Sequence, residues 1–347
     1  MRSTIFYNLS ESIKPNLDII RKSIKLNEKL RNLASRTVNE IDDSTLFKEL
    51  IDAIPTDREW LRYENCAVVT RLYAVYESFV EALIVKWIEE LPILVPKYSD
   101  LDERIKETHI DNVRRILRER NKQRFNGLSL ESAIYKLYCG FVDTQPYELL
   151  TDAFILHDRN LRKEDLEDLL KNAGIDQSAW NWIKNNRNIK VFVQDVIQET
   201  TAEGLLKELI EYRNNAAHGL TINVILGSEE LLQLCDFVEI VCEALSELAT
   251  YRLLLKQEEQ GQVVRIGKIS EWFKKPQAGV AKISNSKLKV GDILFLTSDT
   301  DCQVAEIISL EINNASSQEI NVSLETEVGI KFNIDARKNW CIYYANP

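Results

Sequence analysis

Apolar residues recur at intervals of three and four from about residue 10 to residue 258, the spacing that lines them along one face of an α-helix. The widest stripe is Leu72, Tyr76, Phe79, Val80, Leu83, Ile84, Trp87, Ile88 and Leu91. It predicts a core helix that starts near Glu59 and stops before Pro92, because the residue ahead of a proline is pushed out of the helical region. The same period predicts helices over 15–34, 104–122, 129–140, 162–172, 177–189, 201–217 and 229–258. Eight helices with little between them imply an all-α bundle. After Gln257-Glu258-Glu259-Gln260-Gly261, which reads as a polar linker, the period drops to two and β-branched residues take over. Segments 263–273, 279–283, 292–296, 303–312, 321–332 and 341–344 read as strands. Six strands in so short a span suggest a small closed barrel, which hides its own sheet edges. The expected fold class is therefore α+β multidomain: a helical extension over 1–58, a helical domain over 59–258 and a six-stranded β-barrel over 263–347.

Charge narrows the partners. The 347 residues carry a formal net charge of −10, and basic and acidic side chains balance beyond residue 261, so the whole excess of negative charge lies in the helical part. No bulk positive field draws this molecule to nucleic acid, and any such contact must be local. The six cysteines form no CxxC pair and do not cluster with the three histidines, which argues against a zinc site and a disulfide framework. No metal and no cofactor is expected. The nearest approach to a phosphate loop, Gly261 to Ile269, is one residue too long and lacks Ser or Thr after Lys268, so a GTPase is not expected. The N-terminus lacks a signal-peptide pattern, and the most apolar run, Ala82 to Ile88, is interrupted by Lys86. These features predict a cytoplasmic protein with reduced thiols and no membrane contact.

With three histidines, each can be weighed. His157, beside Asp158 in a loop, reads as a satisfied surface histidine with no nucleophile or metal cluster near it. Arg104 and His109 form an R-x-x-x-x-H spacing within a stretch read as solvated. Arg213 and His218 share that spacing but stand in Glu211-Tyr212-Arg213-Asn214-Asn215-Ala216-Ala217-His218-Gly219, where arginine, amides and histidine converge on the end of an amphipathic helix. The same residues would also make a good helix terminus, with Gly219 as a left-handed cap and a histidine beside the negative end of the dipole.

The run Arg213-Asn214 to Ala217-His218-Gly219 resembles the HEPN superfamily, whose metal-independent ribonucleases carry Arg, a polar residue and His near the end of a late helix of an α-bundle. The resemblance covers roughly residues 60–250. It includes the early helix Val68-Val69-Thr70-Arg71-Leu72-Tyr73-Ala74-Val75-Tyr76-Glu77 and the segment from Asn160-Leu161-Arg162 to Gly174-Ile175. It points to the solo proteins of prokaryotic defence and toxin loci, including the RiboL-PSP-associated type. The chemistry suits these residue types. His218 can act as base or acid near neutral pH, Arg213 can clamp phosphate oxygens, and Asn214 can orient either group or the scissile phosphate. Five residues at about 100° each set Arg213 and His218 about 140° apart around one helix. Two copies meeting on a two-fold axis would bring both pairs to one cleft, so a homodimer is expected, as the resemblance also implies.

Substrate contact is expected on Asn112 to Arg124, where Arg114, Arg115, Arg118 and Lys122 are the candidate RNA-binding residues. Arg114, Arg118 and Lys122 share one face at helical spacing; a solvated face balanced by acidic neighbours is the alternative. Residues 263–347 look like the second-domain β-barrel of translation elongation factors, on Arg265-Ile266-Gly267-Lys268-Ile269, Lys289-Val290-Gly291-Asp292 and Val328-Gly329-Ile330-Lys331. That resemblance implies a tRNA-directed or ribosome-directed activity. The sequence thus reads as a metal-independent endoribonuclease, a toxin or antiphage defence effector, with RNA (tRNA among the candidates) as substrate and an antitoxin or defence-system protein as partner. The alternative is a non-catalytic HEPN module that binds a nucleotide, RNA or a protein, with the barrel as adaptor.

Overall fold

The structure is a computed structural model that describes residues 4–36, 53–122, 125, 127–143, 146–175, 178–198, 200–217, 225–313 and 315–345. Among these, nine α-helices precede nine β-strands. The helices are α1 (Ile5–Arg36), α2 (Asp57–Leu94), α3 (Glu103–Arg118), α4 (Leu130–Val142), α5 (Lys163–Asn172), α6 (Ala179–Asn185), α7 (Arg187–Val191), α8 (Ala202–Ala217) and α9 (Ser228–Glu259). A π-helical turn, Phe192–Ile197, follows α7.

All eight helices expected from the periodicity are present, and 177–189 is divided in two. The break is Asn186, whose backbone leaves the helical region (ψ 139°) and whose side chain caps α7 by accepting from the Asn188 N–H at 3.0 Å. The central helix α2 starts at a capping box between Thr56 and Glu59. It does not stop before Pro92: the helix runs through to Leu94, and the Val95 N–H still reaches Leu91 O at 2.7 Å. A proline in the last turn removes one donor without displacing the chain. The helix predicted over 104–122 is shorter than expected and ends at Arg118.

Helix α1 buries Phe6, Ile13, Leu17, Ile20 and Ile24 against α2 and α9. The core between these helices is built on Trp87, Tyr73, Tyr76 and Phe79. Both buried indoles find acceptors: Trp87 donates to Ala173 O at 2.8 Å and Trp182 to Ala244 O at 3.0 Å. Helix α3 and α4 form a hairpin, with Tyr98 between His109 of α3 and Phe141 of α4.

The strands are β1 (Val263–Phe273), β2 (Ala278–Ile283), β3 (Ser286–Lys289), β4 (Ile293–Thr297), β5 (Cys302–Ile312), β6 (Ala315–Ser317), β7 (Glu319–Val322), β8 (Thr326–Phe332) and β9 (Cys341–Ala345). Six of them close a ring in the order β4-β9-β1-β2-β8-β5 and back to β4, antiparallel throughout. Short β6 extends β5, and β3 pairs with β7. The fold is therefore a helical region followed by a closed six-stranded antiparallel barrel, the α+β multidomain class expected. At Gly267 the neighbouring strand comes so close that an added Cβ would lie 2.0 Å from Lys282 O, so no larger residue fits there.

The barrel packs onto the helices through α9, which contacts β1 and β5, and Val263, Phe295, Cys302 and Tyr343 join the helical core. Arg187 bridges the two parts. Its guanidinium donates to Asp335 O at 2.9 Å and to Gln303 Oε1, and stacks 5.3 Å from the Trp340 ring. Beside it, Glu247 of α9 accepts from Cys302 N at 2.9 Å and from the Asn186 and Gln303 amides. Burial, aided by nearby Asp301 and opposed by Arg187 and these hydrogen bonds, pushes the Glu247 carboxyl up to about 8. A raised folded-state value gives stability that is complete below the ordinary carboxylate range and is lost as pH rises through about 8. The melting temperature is thus expected to fall by about 5 °C between mildly acid and mildly alkaline solution. Calorimetry of the parent and Glu247→Gln checks this: the variant should lose most of the slope, and an unchanged slope would acquit Glu247.

Candidate functional site

The loop 157–162 is the centre of the site because three helices hold it. Leu161 has both backbone groups tied to α2: its N–H donates to Tyr73 Oη at 3.0 Å, and its carbonyl accepts from Tyr76 Oη at 3.2 Å. Tyr73 in turn donates to Glu77 at 2.9 Å. Tyr73, Tyr76, Glu77 and Glu81 lie three, four and eight residues along α2 and so present one face to the loop. Burial raises both phenols well above the usual tyrosine value, which keeps them neutral donors. Asp158 is clamped by Arg115 of α3, and Asn160 reaches α8.

The α8 contact concerns the predicted motif. Asn214 Oδ1 accepts from Asn160 Nδ2 at 2.7 Å and from Arg213 Nη1 at 3.2 Å. The Arg213 guanidinium lies 4.9 Å from the Tyr73 ring centroid, a cation–π contact. Arg213 and Asn214 are thus brought together, with the amide fixing the guanidinium. His218, together with Gly219, lies outside the described residues. On its far side the chain is pinned again, where buried Asn65 of α2 accepts from Leu226 N at 2.8 Å and donates to Leu226 O at 3.0 Å.

Arg213 opens onto a cleft of about 960 Å³. His157, Arg159 and Arg162 line it with Arg213, facing Glu77, Asp158, Glu164, Asp165 and Asp168. His157 shares this cleft with Arg213. It is satisfied, as expected. Nδ1 faces Arg159 O and Nε2 faces Glu81 Oε1, each at 3.0 Å. The hydrogen bond to Glu81 raises this histidine above its ordinary value, against the opposing effect of burial. Arg159 and Arg162 give the cleft cations that periodicity missed. The signal was present as two arginines beside a histidine in His157-Asp158-Arg159-Asn160-Leu161-Arg162.

His109, read in a solvated stretch, is instead fully buried. Its Nε2 accepts from Leu150 N at 3.1 Å, and its ring stacks on Phe154. Burial lowers it to about 4, so it stays neutral and structural. Of the residues proposed to meet RNA, Arg114 and Arg118 project from α3 with side chains 76% and 77% exposed. Arg115 is partly buried against Asp158 and Glu119. Lys122 stands beyond the end of α3, with its Nζ 2.8 Å from Glu119. Among the described residues no group of three or more His, Cys, Asp or Glu side chains is placed to hold a metal ion, and no helix is long and apolar enough to cross a membrane.

The arrangement offers a fixed guanidinium at the rim of an open cleft, backed by a locked amide and further cations, which suits an oxyanion of phosphate. Compared with known families, residues 26–251 match the model described as RiboL-PSP-HEPN, from within α1 to within α9. No curated protein matches the chain.

Proposed function

From the membership of this chain in the RiboL-PSP-HEPN family, we propose that it is a metal-independent endoribonuclease whose reaction is carried by Arg213 and His218 with Asn214 in support. The observation that carries this reading is the Arg213 guanidinium, held by Asn214 and Tyr73 where the cleft opens. His218 follows α8 directly in the chain. In the proposed reaction His218 takes the proton of a ribose 2′-OH, and the freed oxygen attacks the adjacent phosphorus. Arg213 holds the non-bridging oxygens as negative charge builds on them, and the bond to the 5′-oxygen breaks as that oxygen gains a proton. The products are a 2′,3′-cyclic phosphate and a 5′-hydroxyl. A spacing of five residues turns about 140° around an ideal helix, so in this proposal the complete site is formed between two copies, and the protein acts as a homodimer.

The exposed arginines of α3 are the proposed substrate contacts outside the cleft, since the protein as a whole repels RNA. Its biological role is that of a toxin or antiphage effector. The barrel, which resembles the second domain of elongation factors, directs it to tRNA.

The test is cleavage of total cellular RNA and of tRNA in the presence of a chelator, with end analysis of the products. Cleavage that persists in chelator, leaves cyclic phosphate ends and disappears in both Arg213→Ala and His218→Ala supports the reading. Activity surviving either substitution refutes the site. Expression of the parent should arrest growth, and either substitution should relieve it. Asn160→Ala should lower the cleavage rate about tenfold by freeing the Asn214 amide, with the melting temperature little changed because one partly exposed hydrogen bond is lost. An unaltered rate would mean that Asn214 does not position Arg213.

A further inference from the structure

Helix α4 presents an unusual outer face. Ile134, Tyr135, Tyr138, Phe141 and Val142 are all exposed, with the three aromatic side chains about three-fifths open to solvent (61–62%) and exposed Glu131 one turn before Ile134 and Tyr135. Such a patch is of the size at which exposed apolar surface usually has a partner. Its surroundings say which one. The adjoining hairpin partner α3 and the turn after it carry Arg114, Arg115, Arg118, Arg120 and Lys122 against Asp111 and Glu119, in a chain of net charge −10. Arg114 and Arg118 are the most exposed of these cations whose ion pairs are described. Helix α3 also reaches the cleft, because its Arg115 binds Asp158, which lines it.

Open aromatic rings on one helix of a hairpin and exposed arginines on the other match one ligand chemistry. A single strand offers free base faces to stack on and phosphates to neutralise, whereas a duplex hides its base faces. The area exposed by five side chains, a few hundred Å², is well below the roughly 800 Å² per partner of a stable protein interface. We infer that the α3–α4 surface binds unpaired RNA, with bases stacked on Tyr135, Tyr138 and Phe141 and phosphates held by Arg114 and Arg118, so that a single-stranded segment is led toward the cleft. This rests on the ribonuclease reading for its purpose, since it names the substrate class, and on the surface alone for its binding.

The test uses the full chain and a 2′-O-methyl oligouridine of about 12 nucleotides, which cannot be cleaved by 2′-OH attack, with a duplex of equal length beside it. Fluorescence anisotropy of the Tyr135→Ala/Tyr138→Ala protein should show single-strand affinity reduced about 10- to 100-fold and duplex affinity unchanged. Tyr135→Phe/Tyr138→Phe should keep the affinity. Tyr135→Ile/Tyr138→Ile, which retains apolar area without a ring, should lose it as the alanine pair does. Arg114→Ala/Arg118→Ala should weaken the binding and flatten its salt dependence by about 1.4 in the log–log slope. All the tyrosines concerned are exposed, so melting temperatures should agree. Unchanged affinity in the alanine pair, or full affinity in the isoleucine pair, overturns the inference. So does a sedimentation shift in the alanine pair with RNA binding intact, which would give this face to a second copy. Tight single-strand binding lost in the tyrosine variants, by a protein that never cleaves RNA, would sink the ribonuclease reading and leave this surface standing.

Discussion

Arg213→Ala is expected to lower single-turnover RNA cleavage about 100- to 1,000-fold, the usual loss when a donor aimed at a developing oxyanion is removed. The protein itself should stay folded. Arg213 contributes a cation–π contact to Tyr73 and one long hydrogen bond to Asn214, and Tyr73 keeps its bonds to Leu161 and Glu77 without it. Arg213→Lys should recover little of the rate, because an ammonium cannot present two parallel N–H groups to a phosphate and stacks less well on the ring. Melting curves and RNA binding measured beside the rate separate a chemical defect from a structural one. A rate within a fewfold of the parent would remove Arg213 from the reaction, whatever His218 does.

Trp87→Ala should have the largest effect on stability, about 3–5 kcal/mol by comparison with other buried aromatic truncations. The indole is wholly buried in α2 and packs on Phe6 of α1 with ring centroids 6.4 Å apart. Its Nε1–H satisfies the carbonyl of Ala173 at the end of α5. Alanine would leave a cavity and an orphaned buried acceptor together, two costs that add. Chemical denaturation should show a lowered midpoint. Trp87→Phe should restore part of the loss by filling most of the space while leaving the acceptor unpaired. Because α5 supplies Glu164, Asp165 and Asp168 to the cleft, cleavage should fall in Trp87→Ala at temperatures below its unfolding transition. Stability equal to the parent would mean that neighbouring side chains collapse into the space.

Much of this architecture could be read from spacing. The stripe from Leu72 to Leu91 and the stripe along α9 identified the two helices that hold the core, and the change of period near residue 261 located the barrel. Both signals arise from burial of one face, which is what periodicity measures. The break at Asn186 was not legible, because an asparagine cap inside an apolar segment leaves the period intact. The site was legible only in part. Arg213 and Asn214 stood out by their neighbours in sequence, yet the residues that hold them, Asn160 and Tyr73, come from segments 54 and 140 residues away. His157 is the satisfied loop histidine expected, whereas His109 lies deeper in the core than its neighbours in sequence suggested. Composition around a histidine does not reveal which helix it will face; Glu81 and Tyr98, their partners, are fixed by packing.

The stretch read as a polar linker is a helix cap. Gln262 N–H reaches Gln257 O at 2.9 Å and Gly261 N–H reaches Glu258 O at 3.0 Å, with Gly261 at φ 69°, the paired bonds of a Schellman motif. Strand β1 starts one residue later. A tethered domain samples a volume set by its tether and meets its ligand at an effective concentration. This barrel has no tether to do so. It is carried as the rigid head of a 32-residue rod, so anything bound to it stands at a fixed bearing from the Arg213 cleft. Lengthening the cap by a few flexible residues would leave that bearing to the packed surface around Arg187 and Glu247 alone.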